Sequence, residues 1–279
     1  MLLPVLFFIQ VHIGFLRELP DIGVIQSVKK DSVMYENGYR VFEESVNNSF
    51  SPRNVSELQF AKNLEAFKQA RLRLYSCNAF FPGFLKLVGP DVNESEVLGY
   101  VDTVMRRCHD AGVKVVVLGS GVARRIPEGY DSIKASKEFI ILVRKMADLA
   151  ARYGITIAME NLNHTETNFV LSIQQAIEIA RAVDRPSFRI TADIYHMLME
   201  NEPASIIEEA GGLLVHCHIA EKENRAYPGK TGVDFRPYFR AIKKIGYHGK
   251  IMIECPWDDF DHEIGPARNY LLKQLVEVN

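Results

Sequence analysis

From Asp21 onward the chain repeats one pattern: a short run rich in Val, Ile and aromatic residues, a turn, then apolar positions spaced for a helix. The apolar runs cover 22–28, 39–46, 72–78, 113–119, 155–161, 188–193, 213–219 and 250–255. Near-continuous runs of this length are what parallel strands covered on both faces require. The segments between them predict helices over 54–70, 93–111, 132–153, 172–183, 203–210, 234–245 and 265–278. In 132–153 the residues Phe139, Ile140, Val143, Met146, Ala147 and Leu149 fall at helical spacing, and Gly154 follows as a helix-ending residue. Ser172 and Gln175 form a capping box, worth about 1 kcal/mol, at the start of 172–183. Only the first unit is short, because 29–38 leaves room for barely two helical turns.

Eight strands alternating with helices predict a single-domain α/β fold, the (β/α)8 TIM barrel. A doubly wound open sheet would carry a glycine-rich turn after its first strand. The nearest feature is Gly119-Ser120-Gly121 after the fourth run, which lacks both a third glycine and the phosphate-loop lysine. No linker divides residues 21–279, so they form one domain behind an apolar N-terminal arm at 1–20.

The stretch 2–16 is apolar but short for a bilayer span, and Pro4, Gln10, His12 and Gly14 interrupt it. No basic residue precedes it and no small-residue cleavage site follows, which disfavours a secretory signal. A packed arm or an extended first element is the expected reading, with export left open as the alternative. No later stretch approaches a membrane span, so no membrane partner is expected.

Charge changes the picture little at the scale of the whole chain. Lys plus Arg total 33 against 35 Asp plus Glu, a net charge of −2, so a grip on nucleic-acid phosphates is not expected. Cys77, Cys108, Cys217 and Cys255 form no C-x-x-C pair, which fits reduced thiols in a cytoplasmic protein rather than a disulfide or zinc framework.

Locally the charges are informative. In a barrel of this type, side chains at the C-terminal ends of the strands converge on the site. The last four runs end near Glu160, Asp193, His218 and Glu254. Three carboxylates at close range repel one another unless a positive charge sits among them. A divalent metal supplies it, and carboxylate oxygens with one imidazole nitrogen suit Mn²⁺, Mg²⁺, Co²⁺ or Zn²⁺. A lone carboxylate at a strand end is commonly a helix cap; four chemically matched groups on consecutive strands make a stronger case.

The stretches MENLNHTETN, DIYHMLME, HCHIAEKENRAYPGKTGVDF and GYHGKIMIEC resemble the sugar isomerase and epimerase superfamily with the xylose-isomerase-like barrel. The likeness is to its ketose 3-epimerases and hydroxypyruvate-isomerase-like members, and it runs from about Tyr100 to the C-terminus. It implies metal ligation by Glu160, Asp193, His218 and Glu254, with Glu160 and Glu254 also the catalytic acid and base. It further implies that Glu166, His196 and Arg225 hold sugar oxygens. The chain has one more residue between His218 and Arg225 than the epimerase pattern, which leaves the particular sugar open. Members of the family often form dimers or tetramers, so a homo-oligomer is a further implication.

The implied chemistry is isomerisation or epimerisation of a keto sugar, or a related small carbohydrate, through a cis-enediolate. The cation would polarise the carbonyl, one carboxylate would remove the neighbouring proton, and a second would return one. A lyase or dehydratase acting on a keto-inositol or 3-keto-glycoside would use the same parts and expel a leaving group. An apurinic-site endonuclease would need further histidines on the second and third strands and a D-x-H after the seventh, where Glu43-Glu44, Asn78 and no D-x-H occur. His216, two residues before His218, is expected one layer deeper on the same face. Arg124-Arg125 reads as a solvated pair or as a clamp for an anionic substituent. Trp257 and Phe80-Phe81 read either as an apolar wall or as ordinary packing.

Overall fold

The computed structural model describes residues 19–278. The proposed arm at 1–20 therefore lies outside the described residues, apart from Leu19 and Pro20. Eight parallel strands form the barrel: β1 (Ile22–Ile25), β2 (Val41–Ser45), β3 (Arg73–Asn78), β4 (Val115–Leu118), β5 (Thr156–Glu160), β6 (Phe188–Asp193), β7 (Leu214–Ile219) and β8 (Lys250–Ile253). They close in chain order, with β1 sealing against β8 through Ile22↔Ile251 and Val24↔Ile253. Each strand lies within its predicted run; β6 matches 188–193 at both ends, and the others are shorter than their runs.

The long outer helices are Glu57–Gln69, Glu94–Asp110, Ser132–Arg152, Ile173–Val183, Arg236–Lys244 and Phe260–Val278, joined by the short Ile206–Ala210. The short first unit holds the helix Asp31–Glu36. Their apolar stripes meet the outer faces of the strands in one continuous core, with Phe139, Val143, Met146 and Ala147 fully buried. A smaller cluster, Val115, Val117 and Ala158 with Tyr75 and Val215, forms separately. Ala158 lies two residues before Glu160 and so shares its strand face, which puts this plug beneath the site. The plug makes the interior a packed floor rather than a pore.

Caps fix where the helices begin. Ser172 accepts a hydrogen bond from the Gln175 amide at 3.1 Å, while the Gln175 side chain reaches back to the Leu171 amide at 2.7 Å. Ser172→Ala is expected to lower stability by about 1 kcal/mol, measured by urea unfolding, with no effect on activity. All four cysteines are free, and Cys77, Cys108 and Cys217 are buried. Among the described residues no helix is long and apolar enough to cross a membrane.

Candidate metal centre and active site

β5 and β6 end on Glu160 and Asp193, His218 is the last but one residue of β7, and Glu254 follows directly on β8. Ligand-type atoms of Glu160, Asp193, His218 and Glu254 lie within 4.8 Å of one another. His218 stands at the middle, its Nδ1 2.6 Å from Glu160 Oε1 and 3.1 Å from Glu254 Oε2. Asp193 and His218 are fully buried, and Glu160 is nearly so.

Asp193 does two jobs with its two oxygens. Oδ1 caps the helix Ile194–Met199 by accepting from the Tyr195 amide at 2.8 Å and the His196 amide at 3.3 Å. Oδ2 is left facing the cluster, 3.2 Å from Arg225 Nη2. Capping the helix with one oxygen thus leaves the other free to face the cluster. That six-residue helix escapes the sequence pattern because it starts on the residue after the strand.

The three residues expected to touch sugar also gather here. Arg225 Nη2 is 2.5 Å from Glu254 Oε2, and its Nη1 is 3.5 Å from Glu166 Oε1. The guanidinium lies over the Tyr195 ring at 4.6 Å. Asn224 and Arg225 both adopt left-handed backbone angles, φ 55° and 50°, which turn the chain back toward the site. The loop that carries them is gathered by the buried Glu221 carboxylate, which accepts from the amides of Gly229, Thr231, Gly232 and Val233.

The orientation of His196 follows from its neighbour. Asn163 Oδ1 accepts from the Thr165 amide and hydroxyl, so its amide NH2 faces His196 Nδ1 at 2.9 Å. Nδ1 is therefore the acceptor and Nε2 carries the proton. That Nε2–H makes no hydrogen bond to a described residue and points among Asp193 Oδ2, at 3.4 Å, and Glu166 Oε1, at 4.0 Å. A donor held ready in this way suits an incoming hydroxyl or carbonyl oxygen.

Burial acts strongly on every member but sets the direction for only some of them. It pushes the Glu160 carboxyl up and the Asp193 carboxyl up to about 6. At Glu254 burial also acts upward, but His218 and Arg225 outweigh it and hold the carboxyl below the usual range. Burial lowers the His196 imidazole. For His218 burial acts downward, yet Glu43, Glu254 and Glu160 carry it well above the usual histidine value.

Gly119-Ser120-Gly121 has a local explanation. A Cβ on Gly119 would lie 2.1 Å from Glu160 Oε2, and one on Gly121 would lie 2.8 Å from the Glu166 carbonyl oxygen. The glycines make room for the two glutamates, which is a packing demand rather than a phosphate cradle.

Arg124 departs from both of its expected roles. It is fully buried, and its Nη1 donates to the carbonyls of Glu160 at 2.8 Å and Leu118 at 3.3 Å, with Nη2 3.5 Å from the Val170 carbonyl. It ties the ends of β4 and β5 together beneath the site. Burial brings it down to about 9, still charged at neutral pH. Arg124→Met leaves these carbonyls without their donor and is expected to cost about 3 kcal/mol in chemical unfolding. Arg125 is the exposed member and donates to the Glu166 carbonyl at 2.9 Å.

Phe80 and Phe81 are buried against Tyr100 and serve as packing. Trp257 stacks on Tyr227 with centroids 5.8 Å apart. His216 lies one layer beneath His218, as its spacing requires, with Nε2 2.8 Å from Glu43 Oε2. Glu43 itself, fully buried on β2, is an acid to which the sequence pattern assigned no role. The available signal was an acid inside an apolar run.

The family model described as a xylose isomerase-like TIM barrel matches residues 33–276. A ketose 3-epimerase of Arthrobacter globiformis is 35% identical over 113 residues, 40% of this chain and 39% of that protein. An inosose isomerase of Bacillus velezensis is 26% identical over 170 residues, 57% of this chain and 59% of that protein. The chain thus spans about two to three fifths of the length of these curated relatives. A D-psicose 3-epimerase from Clostridium cellulolyticum H10, solved with D-tagatose, superposes with a TM-score of 0.80 at 18% identity. That superposition covers 91% of this chain and 99% of the other.

Proposed function

Because the chain belongs to the xylose isomerase-like TIM barrel family, we propose that it is a divalent-metal-dependent isomerase or epimerase of a keto sugar or related small carbohydrate. The single observation that carries this reading is the convergence of three carboxylates and one imidazole within 4.8 Å, from residues on four consecutive strands. Partial identity to a ketose 3-epimerase and an inosose isomerase supports the substrate class.

The donor set fits a cation. Glu160, Asp193 and Glu254 bring three formal negative charges, and among the described residues Arg225 is the only guanidinium paired with any of their carboxylates. Hard carboxylate oxygens with one imidazole nitrogen are what Mn²⁺, Mg²⁺, Co²⁺ or Zn²⁺ accept. Glu160, Asp193, His218 and Glu254 would hold the ion. When bound, it supplies positive charge that polarises a carbonyl and offsets charge developing on neighbouring oxygens.

The protein's own residues do the rest. Glu160, at the end of β5, and Glu254, just after β8, flank Asp193 and His218 of β6 and β7 and can serve two faces of one carbon. One carboxylate takes the proton next to the carbonyl, leaving a cis-enediolate, and the other returns a proton to the opposite face. The carbon is then inverted; return of the proton to the former carbonyl carbon gives isomerisation instead. His196 Nε2–H and the Arg225 guanidinium donate to substrate oxygens, and Glu166 accepts from a hydroxyl. Acid–base work of this kind is worth about 10²–10⁴ in rate.

The test is a panel of ketopentoses, ketohexoses and inososes incubated with Mn²⁺-loaded protein, with products separated by chromatography and weighed. A new isomer of unchanged mass supports the reading. A product lighter by water or by a glycosyl partner replaces it with a lyase, and no product from any member of the panel contradicts it.

A further inference from the structure

Beneath the carboxylate cluster, β2, β3 and β7 meet at one buried acid. We infer that Glu43 is a positioning residue that keeps the proton of His218 on Nε2, so that Nδ1 is the atom presented to the metal. The inference rests on the metal-binding reading above and concerns a residue outside its ligand set.

Glu43 is fully buried with no lysine or arginine paired to it among the described residues. Its partners are instead protic. Oε2 accepts from the Ser76 hydroxyl and lies 2.8 Å from His216 Nε2. Oε1 lies 3.1 Å from His218 Nε2, within ion-pair distance, and neither atom has a hydrogen-bond partner among the described residues. A bare Nε2 at that distance would set its lone pair against a carboxylate oxygen between two fully buried side chains, a cost that buried acceptors avoid. Nε2 therefore carries a proton. The other nitrogen, Nδ1, then faces Glu160 Oε1 and Glu254 Oε2, two acceptors, and needs either a second proton or a cation between them.

The backbone is shaped for this contact. The register between β2 and β3 slips between Phe42 and Glu43, and that between β6 and β7 slips between Ile190 and Thr191. Tyr75 and Val215 are the unpaired residues at these irregularities, and such bulges re-aim the side chains beside them. Glu43 and His216 sit immediately at the two slips. They bring an acid on β2 against histidines on β7, strands that are not neighbours in the closed sheet. Tyr75 stacks on His216, with centroids 6.1 Å apart, and holds it beneath His218.

Glu43, His216 and His218 also have the spacing of a metal site of their own. A cation there would displace the imidazole protons that face Glu43, so metal stoichiometry separates the two possibilities.

The experiment uses Zn²⁺ as the probe. Imidazole nitrogen resonances of ¹⁵N-histidine-labelled protein are recorded with and without the ion, and affinity is measured by competition with a chromophoric chelator. The wild type is expected to bind one ion, with Nδ1 of His218 shifted by the metal and Nε2 still bearing a proton. Glu43→Gln, close to isosteric, is expected to bind about 10–100-fold more weakly and to show a mixed tautomer at His218. Equal affinity with an unchanged His218 signature overturns the inference, as does a wild type that ligates through Nε2 or takes a second ion at Glu43. The wild-type spectrum decides this even where Glu43→Gln fails to fold. A wild type that binds no Zn²⁺ instead removes the metal-binding reading itself.

Discussion

Glu254→Gln is expected to reduce turnover by at least about 10³-fold and to weaken metal binding in the same step, because one carboxylate serves as ligand and as acid–base group. The substitution should not unfold the protein. Asn78 Nδ2 donates to Glu254 Oε1 at 3.0 Å, while Asn78 Oδ1 makes no hydrogen bond to a described residue. A rotation of the Asn78 amide therefore accommodates the new NH2 group, and the glutamine oxygen stays toward Arg225. The measurement pairs steady-state kinetics with a melting curve of the metal-free protein. Lost turnover with an unchanged melting temperature is the expected pair. Full activity would exclude Glu254 from the chemistry.

Removal of the metal is expected to produce the other large effect. Treatment with a chelator should abolish turnover, and readdition of Mn²⁺ should restore it. The same ion should stabilise the fold, since it binds a site that the unfolded chain does not possess. At a hundredfold excess over its dissociation constant the gain is about 2.7 kcal/mol. For a chain of this size that corresponds to a rise of roughly 5–10 °C in melting temperature. Differential scanning calorimetry with Mn²⁺ and with chelator checks it. Glu254→Gln should show a smaller rise at the same Mn²⁺ concentration. An equal rise in that variant would locate the stabilising ion elsewhere.

Much of this site was legible because barrel geometry converts sequence into position. A side chain at the C-terminal end of a strand has one place to go, so Glu160, Asp193, His218 and Glu254 could be gathered before any contact was known. The two-residue period put His216 below His218 for the same reason. What escaped depends on contacts across the barrel or within loops. Glu43 lies 173 positions before His216, and nothing local says that β2 faces β7 at that level. Arg124 sits in a loop, where an arginine reads as solvated; its burial depends on three carbonyl groups supplied by other segments. The short helix after β6 was hidden because its cap, Asp193, is also the last residue of the strand. Gly119 and Gly121 were noticed as a weak nucleotide signal, and their purpose emerged only with Glu160 and Glu166 beside them.

If Glu160 and Glu254 move a proton at the carbon next to a carbonyl while a metal offsets the charge, that carbon must exchange hydrogen with solvent. The most direct measurement is solvent isotope uptake. Mn²⁺-loaded protein is incubated with a keto sugar in deuterated water, and the recovered sugars are read by mass and by proton NMR. One deuterium is expected at the carbon beside the carbonyl, with the mass otherwise unchanged, and no uptake after chelation. Conversion of the sugar with no solvent deuterium at that carbon, or uptake that survives metal removal, would contradict it.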